Sequence, residues 1–229
     1  MMNAVRTATI AGALLLATSS ANAVVFNGDF ETTSGDVGIV NTIQLSDLAG
    51  TGSWDVYTSI PGWTSNSGAG IEVQTNGTLG SIDAHSGQHY VELDSHPSGS
   101  SNSSMQQSVA LGVGSYELSF YYSPRNDDTA SNGIFYEILG GILGQQKVEG
   151  PGAGPPVTSV GTWSLVTALF KVTTAGNYDL RFSATGTENT LGGFVDTVSI
   201  TAVPIPAAGL LLPVGVALLG FAARRRKTG

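Results

Sequence analysis

Four stretches of this sequence alternate apolar and polar residues with a period of two. Gly114 to Tyr122 puts Tyr116, Leu118, Phe120 and Tyr122 on one face and Ser115, Glu117 and Ser119 on the other. Trp163 to Val172 groups Val166, Ala168, Phe170 and Val172, and Asn177 to Thr185 groups Tyr178, Leu180, Phe182 and Ala184. Phe194 to Thr201 groups Phe194, Val198 and Ile200, with Asp196 on the same parity. Side chains of a strand point alternately to opposite faces, so this pattern suits half-buried strands and no helix can use it. Shorter strands are expected around Trp54 to Thr58, Ile71 to Gln74, His89 to Leu93, Met105 to Ala110 and Ile134 to Ile138. Gly-bearing turns such as Leu111-Gly112-Val113-Gly114 and Thr174-Ala175-Gly176-Asn177 separate them. About nine short strands with such turns predict an all-β fold, an antiparallel β-sandwich of jelly-roll type. Gly150 to Pro156 and Pro97 to Ser104 read as loops, because proline cannot donate to a ladder and glycine lacks an ordering side chain.

The two ends are different in kind. Residues 1–23 read as a secretory signal peptide, with Arg6, an apolar stretch from Ala8 to Ala17, and the small-x-small site Ala21-Asn22-Ala23. From Ile205 to Ala223 there are 19 residues without a charge, followed by Arg224, Arg225, Arg226 and Lys227. As a helix rising ~1.5 Å per residue the run reaches about 28 Å, close to the ~30 Å hydrocarbon core of a bilayer. Lys and Arg favour the cytoplasmic side, so the preceding residues are expected outside the inner membrane. The other reading of the run is a buried core helix with a basic end.

Residues 24–202 are then one domain, long enough for one sizeable core. All 17 acidic residues fall in it and only four of the nine basic ones, which gives it a net charge of −13 against −8 for the whole chain. Such a domain repels nucleic acid and anionic lipid, and favours divalent cations and neutral polymers. The same carboxylates also serve simply to keep a surface soluble. The sequence has no cysteine, which excludes disulfides, cysteine zinc sites and thiol catalysis.

Four strings stand out, the last of them inside the final alternating stretch. They are Asn27-Gly28-Asp29-Phe30-Glu31 at the start of the domain, Ile60-Pro61-Gly62-Trp63 with Tyr90-Val91-Glu92-Leu93-Asp94 in the middle, and Phe194-Val195-Asp196-Thr197-Val198-Ser199-Ile200 at its end. Terminal strands of a jelly roll can lie side by side, so Glu31 and Asp196, with oxygens from Asp29 and Asn27, form a candidate site for one hard cation such as calcium. Ordinary solvated strand ends are the plain alternative.

These strings resemble the galactose-binding-like jelly-roll superfamily, and within it the cell-wall-associated, carbohydrate-binding-like domains. The resemblance spans most of residues 25–202. It implies carbohydrate binding and a structural calcium between the opening Glu31 and the closing Asp196. Many relatives carry a second acid after that aspartate, where this sequence has Thr197. The tail resembles PEP-CTERM sorting signals of the Val-Pro-Leu-Pro-Ala variant through Val203, Pro204, Pro206, Ala207 and Gly209, with Ile205 in the place of Leu. That resemblance implies a tail (residues 203–229) cut by an exosortase, and delivery to the cell surface or extracellular matrix of a Gram-negative bacterium.

Sugar binding needs flat aromatic faces beside polar groups. Trp54, Tyr57, Trp63, Tyr90 and Trp163 are the candidates, with Trp54, Tyr57 and Trp63 foremost, although tryptophan and tyrosine in a sandwich are more often core residues. His85, His89 and His96 cluster in sequence, but residues four apart on a strand lie about 13 Å apart and cannot share an ion. No Gly-x-Ser-x-Gly, His-Glu-x-x-His or phosphate loop occurs, and Glu92 with Asp94 is the acid pair most easily placed on one face. An enzyme is not expected. The main expectation is an exported carbohydrate-binding protein. A structural or adhesive matrix protein and an inner-membrane-anchored periplasmic domain are the alternatives.

Overall fold

The computed structural model describes residues 25–204 except 41, 42, 49, 98 and 151–158. The expected signal peptide, most of the Gly150 to Pro156 loop, and the tail from Ile205 onward lie outside the described residues. Among the described residues no helix is long and apolar enough to cross a membrane.

Twelve strands are described: β1 (Gly38–Ile39), β2 (Trp54–Ile60), β3 (Trp63–Ser67), β4 (Ile71–Thr75), β5 (His89–Glu92), β6 (Ser104–Leu111), β7 (Gly114–Pro124), β8 (Gly133–Ile138), β9 (Leu143–Val148), β10 (Ser164–Val172), β11 (Gly176–Thr185) and β12 (Gly193–Ala202). They pair antiparallel in the order β10-β7-β12-β5-β4-β2-β3-β6-β11-β8-β9, with β1 on β2. The sheet folds over at β2. That strand pairs with β4 through Trp54 to Tyr57 and with β3 through Ser59 and Ile60. The bend between β2 and β3 has Pro61 followed by Gly62 at φ +85°, the pairing a type II turn requires.

One layer therefore runs from β10 to β4, and the other from β3 to β9. Their inner faces meet through aromatics: Phe120 on β7 stands edge-on to Phe182 on β11 and Tyr136 on β8, both at 5.0 Å. Burying each such ring contributes about 2–3 kcal/mol. The alternation of β7, β10 and β11 holds as expected, with Tyr116, Leu118, Phe120 and Tyr122 all buried.

The parity of β12 differs from the sequence reading. Asp196 pairs with Tyr121, but the next pair is Ser199 with Ser119, so β12 carries one extra residue there. Thr197 sits at φ +51°, which marks a bulge. Side chains on the two sides of a bulge no longer share parity. Val195, Val198 and Ile200 point into the main core, while Phe194 joins a second cluster with Tyr90 and Ile82 on the outer side of the same layer.

The opening string lies against this bulge. The Val198 N–H donates to Gly28 O at 2.7 Å, and the Asn27 side-chain amide donates to Pro61 O at 2.9 Å. The Trp63 indole N–H donates to Asn27 O at 3.0 Å. Strings far apart in sequence thus meet at one end of the sandwich.

Candidate functional site

Glu31 and Asp196 converge on one backbone turn, His85 to His89, which leads into β5. Asp196 Oδ2 accepts the N–H groups of His85 (2.8 Å) and Ser86 (3.1 Å), and its Oδ1 accepts the N–H and hydroxyl of Thr197. Glu31 Oε1 accepts the N–H groups of Gln88 and His89, both at 2.7 Å, and its Oε2 meets His89 Nδ1 at 3.0 Å. Gly87, at φ +68°, lets the turn pass, since a Cβ there would stand 2.3 Å from the Glu31 carboxyl carbon. Burial pushes the Asp196 carboxyl up to about 7, against the opposing effect of its N–H donors.

This arrangement does not fit the calcium site expected from the sequence. A carboxylate offers about four acceptor positions, and those of Asp196 already hold four donors. The donors present positive hydrogen to the space a cation would need. Asn27 is committed as well: its amide donates to Thr32 O and Pro61 O, and its Oδ1 accepts the Thr32 N–H. Asp29 Oδ1 accepts the Glu31 N–H at 3.4 Å. Among the described residues no three His, Asp or Glu side chains gather in a metal-binding arrangement. The histidines have separate partners: His89 meets Glu31, His96 meets Glu72 at 2.9 Å, and His85 meets the Thr197 hydroxyl at 2.8 Å.

Two of the three foremost sugar-contact candidates are core residues. Tyr57 is 0% exposed and Trp63 1%, because both point between the layers. Trp54 faces outward, is 38% exposed, and packs against the His96 ring at 4.7 Å.

An open concavity lies elsewhere, where the β4–β5 segment crosses the start of β10. It is a cleft of about 420 Å³, bounded by the backbones of Gly77, Gly80 and Gly161, by Ser81 and Asp83, and by the indole of Trp163. A Cβ on Gly80 would meet nothing within 4 Å, so that wall is open. Trp163 is half-buried and held in place: its N–H donates to Asp83 O at 2.8 Å, and it stands edge-on to Tyr90 at 6.0 Å. Tyr90 in turn stands edge-on to Phe194 at 5.2 Å. Beside the cleft His85 stacks on Tyr121 at 3.4 Å, and burial lowers its pKa. Sequence reasoning found Trp163 as a large aromatic. It missed Asp83 and Tyr121, since no periodicity shows which outer-face positions a crossing segment leaves open.

A second polar group lies under the outer face of the same layer. The Gln74 amide donates to Glu72 Oε1 at 2.8 Å and to Glu92 Oε2 at 2.6 Å. Arg125 Nη1 donates to the same Glu92 oxygen and to Thr190 O. Burial, then the charge of Glu72, raises the Glu92 pKa well above the usual carboxylate range, and Arg125 opposes this. Two carboxyl groups sharing one amide are close enough for glycoside chemistry. Yet they are 1% and 0% exposed, so no substrate reaches them in this conformation. Asp94, the partner expected for Glu92, instead accepts N–H groups from Asn189 and Leu191.

No protein-family model and no curated protein matches the sequence. Solved structures similar to it include TmCBM61 in complex with β-1,4-galactotriose, at 20% identity over 62% of this chain and 88% of that one, with a TM-score of 0.43. A family 35 carbohydrate binding module from Clostridium thermocellum is 19% identical over 62% and 92%, with a TM-score of 0.42. The module CBM6cm-2 of Cellvibrio mixtus lichenase 5A, in complex with cellotriose, is 15% identical over 60% and 90%, with a TM-score of 0.39. Likeness at this level assigns this chain neither a ligand nor a site.

Proposed function

We propose that this chain is an exported surface or matrix protein whose β-sandwich binds neutral polysaccharide in the cleft beside Trp163. The observation that carries this reading is the half-buried indole walling an open, backbone-lined cleft next to the Asp83 carboxylate. A pyranose offers a C–H face to an indole and hydroxyls to backbone groups and a carboxylate. The ring is already held from behind by Tyr90 and by the Asp83 carbonyl, so little ordering is needed on binding. The −13 charge of residues 24–202 disfavours anionic polymers.

The test is a glycan array, together with the host's own exopolysaccharide, probed with the wild-type chain and Trp163→Ala. Binding to a neutral glycan that the substitution removes supports the reading. No binding to any glycan rejects it in favour of a matrix protein without a specific sugar site, and binding indifferent to Trp163 rejects this cleft as the place of binding. That second reading draws on Leu165 and Leu169, which are 48% and 71% exposed on the edge strand β10.

Export rests on the signal peptide and the sorting-like tail. Val203 and Pro204 are exposed directly after β12, where an enzyme can reach the start of the motif. In a host with an exosortase the mature protein is expected to end near Val203 to Ala208. An intact tail in the membrane fraction of such a host would replace sorting with simple inner-membrane anchoring.

A further inference from the structure

Asp94 and Asn102 oppose each other in an isolated antiparallel bridge between the end of β5 and the start of β6. Directly opposed residues of such a pair project to the same side. Both side chains reach the loop of residues 186–192. Asp94 Oδ2 accepts the N–H groups of Asn189 (3.2 Å) and Leu191 (3.0 Å), and the Asn102 amide donates to Gly186 O at 2.8 Å. The loop presses close, since a Cβ on Gly192 would lie 2.5 Å from Asp94 Cβ.

The other oxygen of each side chain, Asp94 Oδ1 and Asn102 Oδ1, is buried and has no hydrogen-bond partner among the described residues. Two acceptors cannot satisfy each other, and buried acceptors are costly to leave unpaired. Charge points the same way. Asp94 is 0% exposed and belongs to no ion pair among the described residues, while nearby Arg125 is already bound to buried Glu92. A buried carboxylate without a counter-charge calls for a cation.

We propose that Asp94 Oδ1 and Asn102 Oδ1 bind a hard divalent cation of the calcium class beneath the 186–192 loop. Such an ion takes six to eight oxygens, so carbonyl groups and water complete its shell. The ion ties the β5–β6 connection to the β11–β12 loop. This site is distinct from the Glu31–Asp196 pair, whose oxygens face N–H donors.

The test uses the purified full chain stripped with a chelator, then titrated with calcium by calorimetry and melted with and without the ion. One ion per chain is expected, with a rise in Tm of about 3–6 °C at ten times the Kd. Asp94→Asn and Asn102→Ala should each abolish the rise, while Glu31→Gln retains it. Should Asp94→Asn fail to fold, Asn102→Ala alone gives the reading. No binding heat and no shift in the wild-type chain overturns the proposal and leaves buried water as the partner of these oxygens. A shift kept by both variants but lost in Glu31→Gln overturns it too, by moving the ion to the terminal pair.

Discussion

Glu92 accepts a 2.6 Å hydrogen bond from Arg125 Nη1 at a place where the carboxylate is fully buried and the arginine side chain only 17% exposed. The same guanidinium nitrogen holds the Thr190 carbonyl, and Glu92 Oε1 accepts the Gly192 N–H at 2.7 Å. One ion pair therefore fixes the β11–β12 loop over the end of the sheet. Arg125→Ala leaves Glu92 beside Glu72 with no cation, and breaking such a pair costs about 3–5 kcal/mol. Urea unfolding should show that loss. The deficit should be smaller in acid, where Glu92 takes up a proton.

Asp196 has a folded-state pKa of about 7 against 3.8 for the free group, with burial as the main cause. Between those values the native state binds the proton that the unfolded chain has released. Its contribution to stability is therefore greatest below about pH 4 and declines as pH rises towards 7, by a few kcal/mol. Asp196→Asn should flatten the dependence of unfolding free energy on pH across that window. A slope unchanged by the substitution would place the titration elsewhere.

Gly28 and Gly80 should respond in opposite ways to alanine. A Cβ on Gly28 would stand 2.0 Å from Val198 O, the backbone of the strand it is bonded to. Neither side can yield without breaking that contact, so Gly28→Ala should cost about 2–4 kcal/mol. Gly80 sits at φ +67° with open space around it, so Gly80→Ala carries only backbone strain of about 1–2 kcal/mol. The new methyl group enters the cleft, however. The folded variant should bind glycan more weakly than wild type, as titration calorimetry would show.

What could be read in advance followed from burial. Strands β7, β10 and β11 bury one face each, and their alternation is visible in the chain. The strands β3 and β9 were missed because Trp63-Thr64-Ser65-Asn66-Ser67 and Leu143-Gly144-Gln145-Gln146-Lys147-Val148 bury almost nothing between their ends, and β1 because its two residues, Gly38 and Ile39, are too few to show a period. The bulge at Thr197 needs one extra residue, and an apolar pattern cannot reveal it when both Val195 and Val198 are acceptable on either side. At the site, the resemblance singled out Glu31 and Asp196, and in the fold both carboxylates accept N–H groups of the one turn from His85 to His89. Their actual partners, the amides of residues 85–89, carry no side-chain signature. Asp83 and Trp163 lie 80 positions apart, and only the crossing of two connections brings them together.

The two tryptophans Trp63 and Trp163 separate stability from binding. Trp63 is 1% exposed between Phe30 (5.9 Å) and Phe182 (6.0 Å), so Trp63→Ala should cost about 3–5 kcal/mol. Any glycan affinity left in the folded fraction should match wild type, because this ring never meets solvent. Trp163 bears on the second cluster from its edge, so Trp163→Ala should cost only about 1–2 kcal/mol while reducing glycan affinity at least tenfold. Melting curves and binding isotherms on the same samples distinguish the two. If both variants lose affinity only in proportion to their unfolded fraction, the indole at the cleft is structural and the sugar site must be sought at another surface.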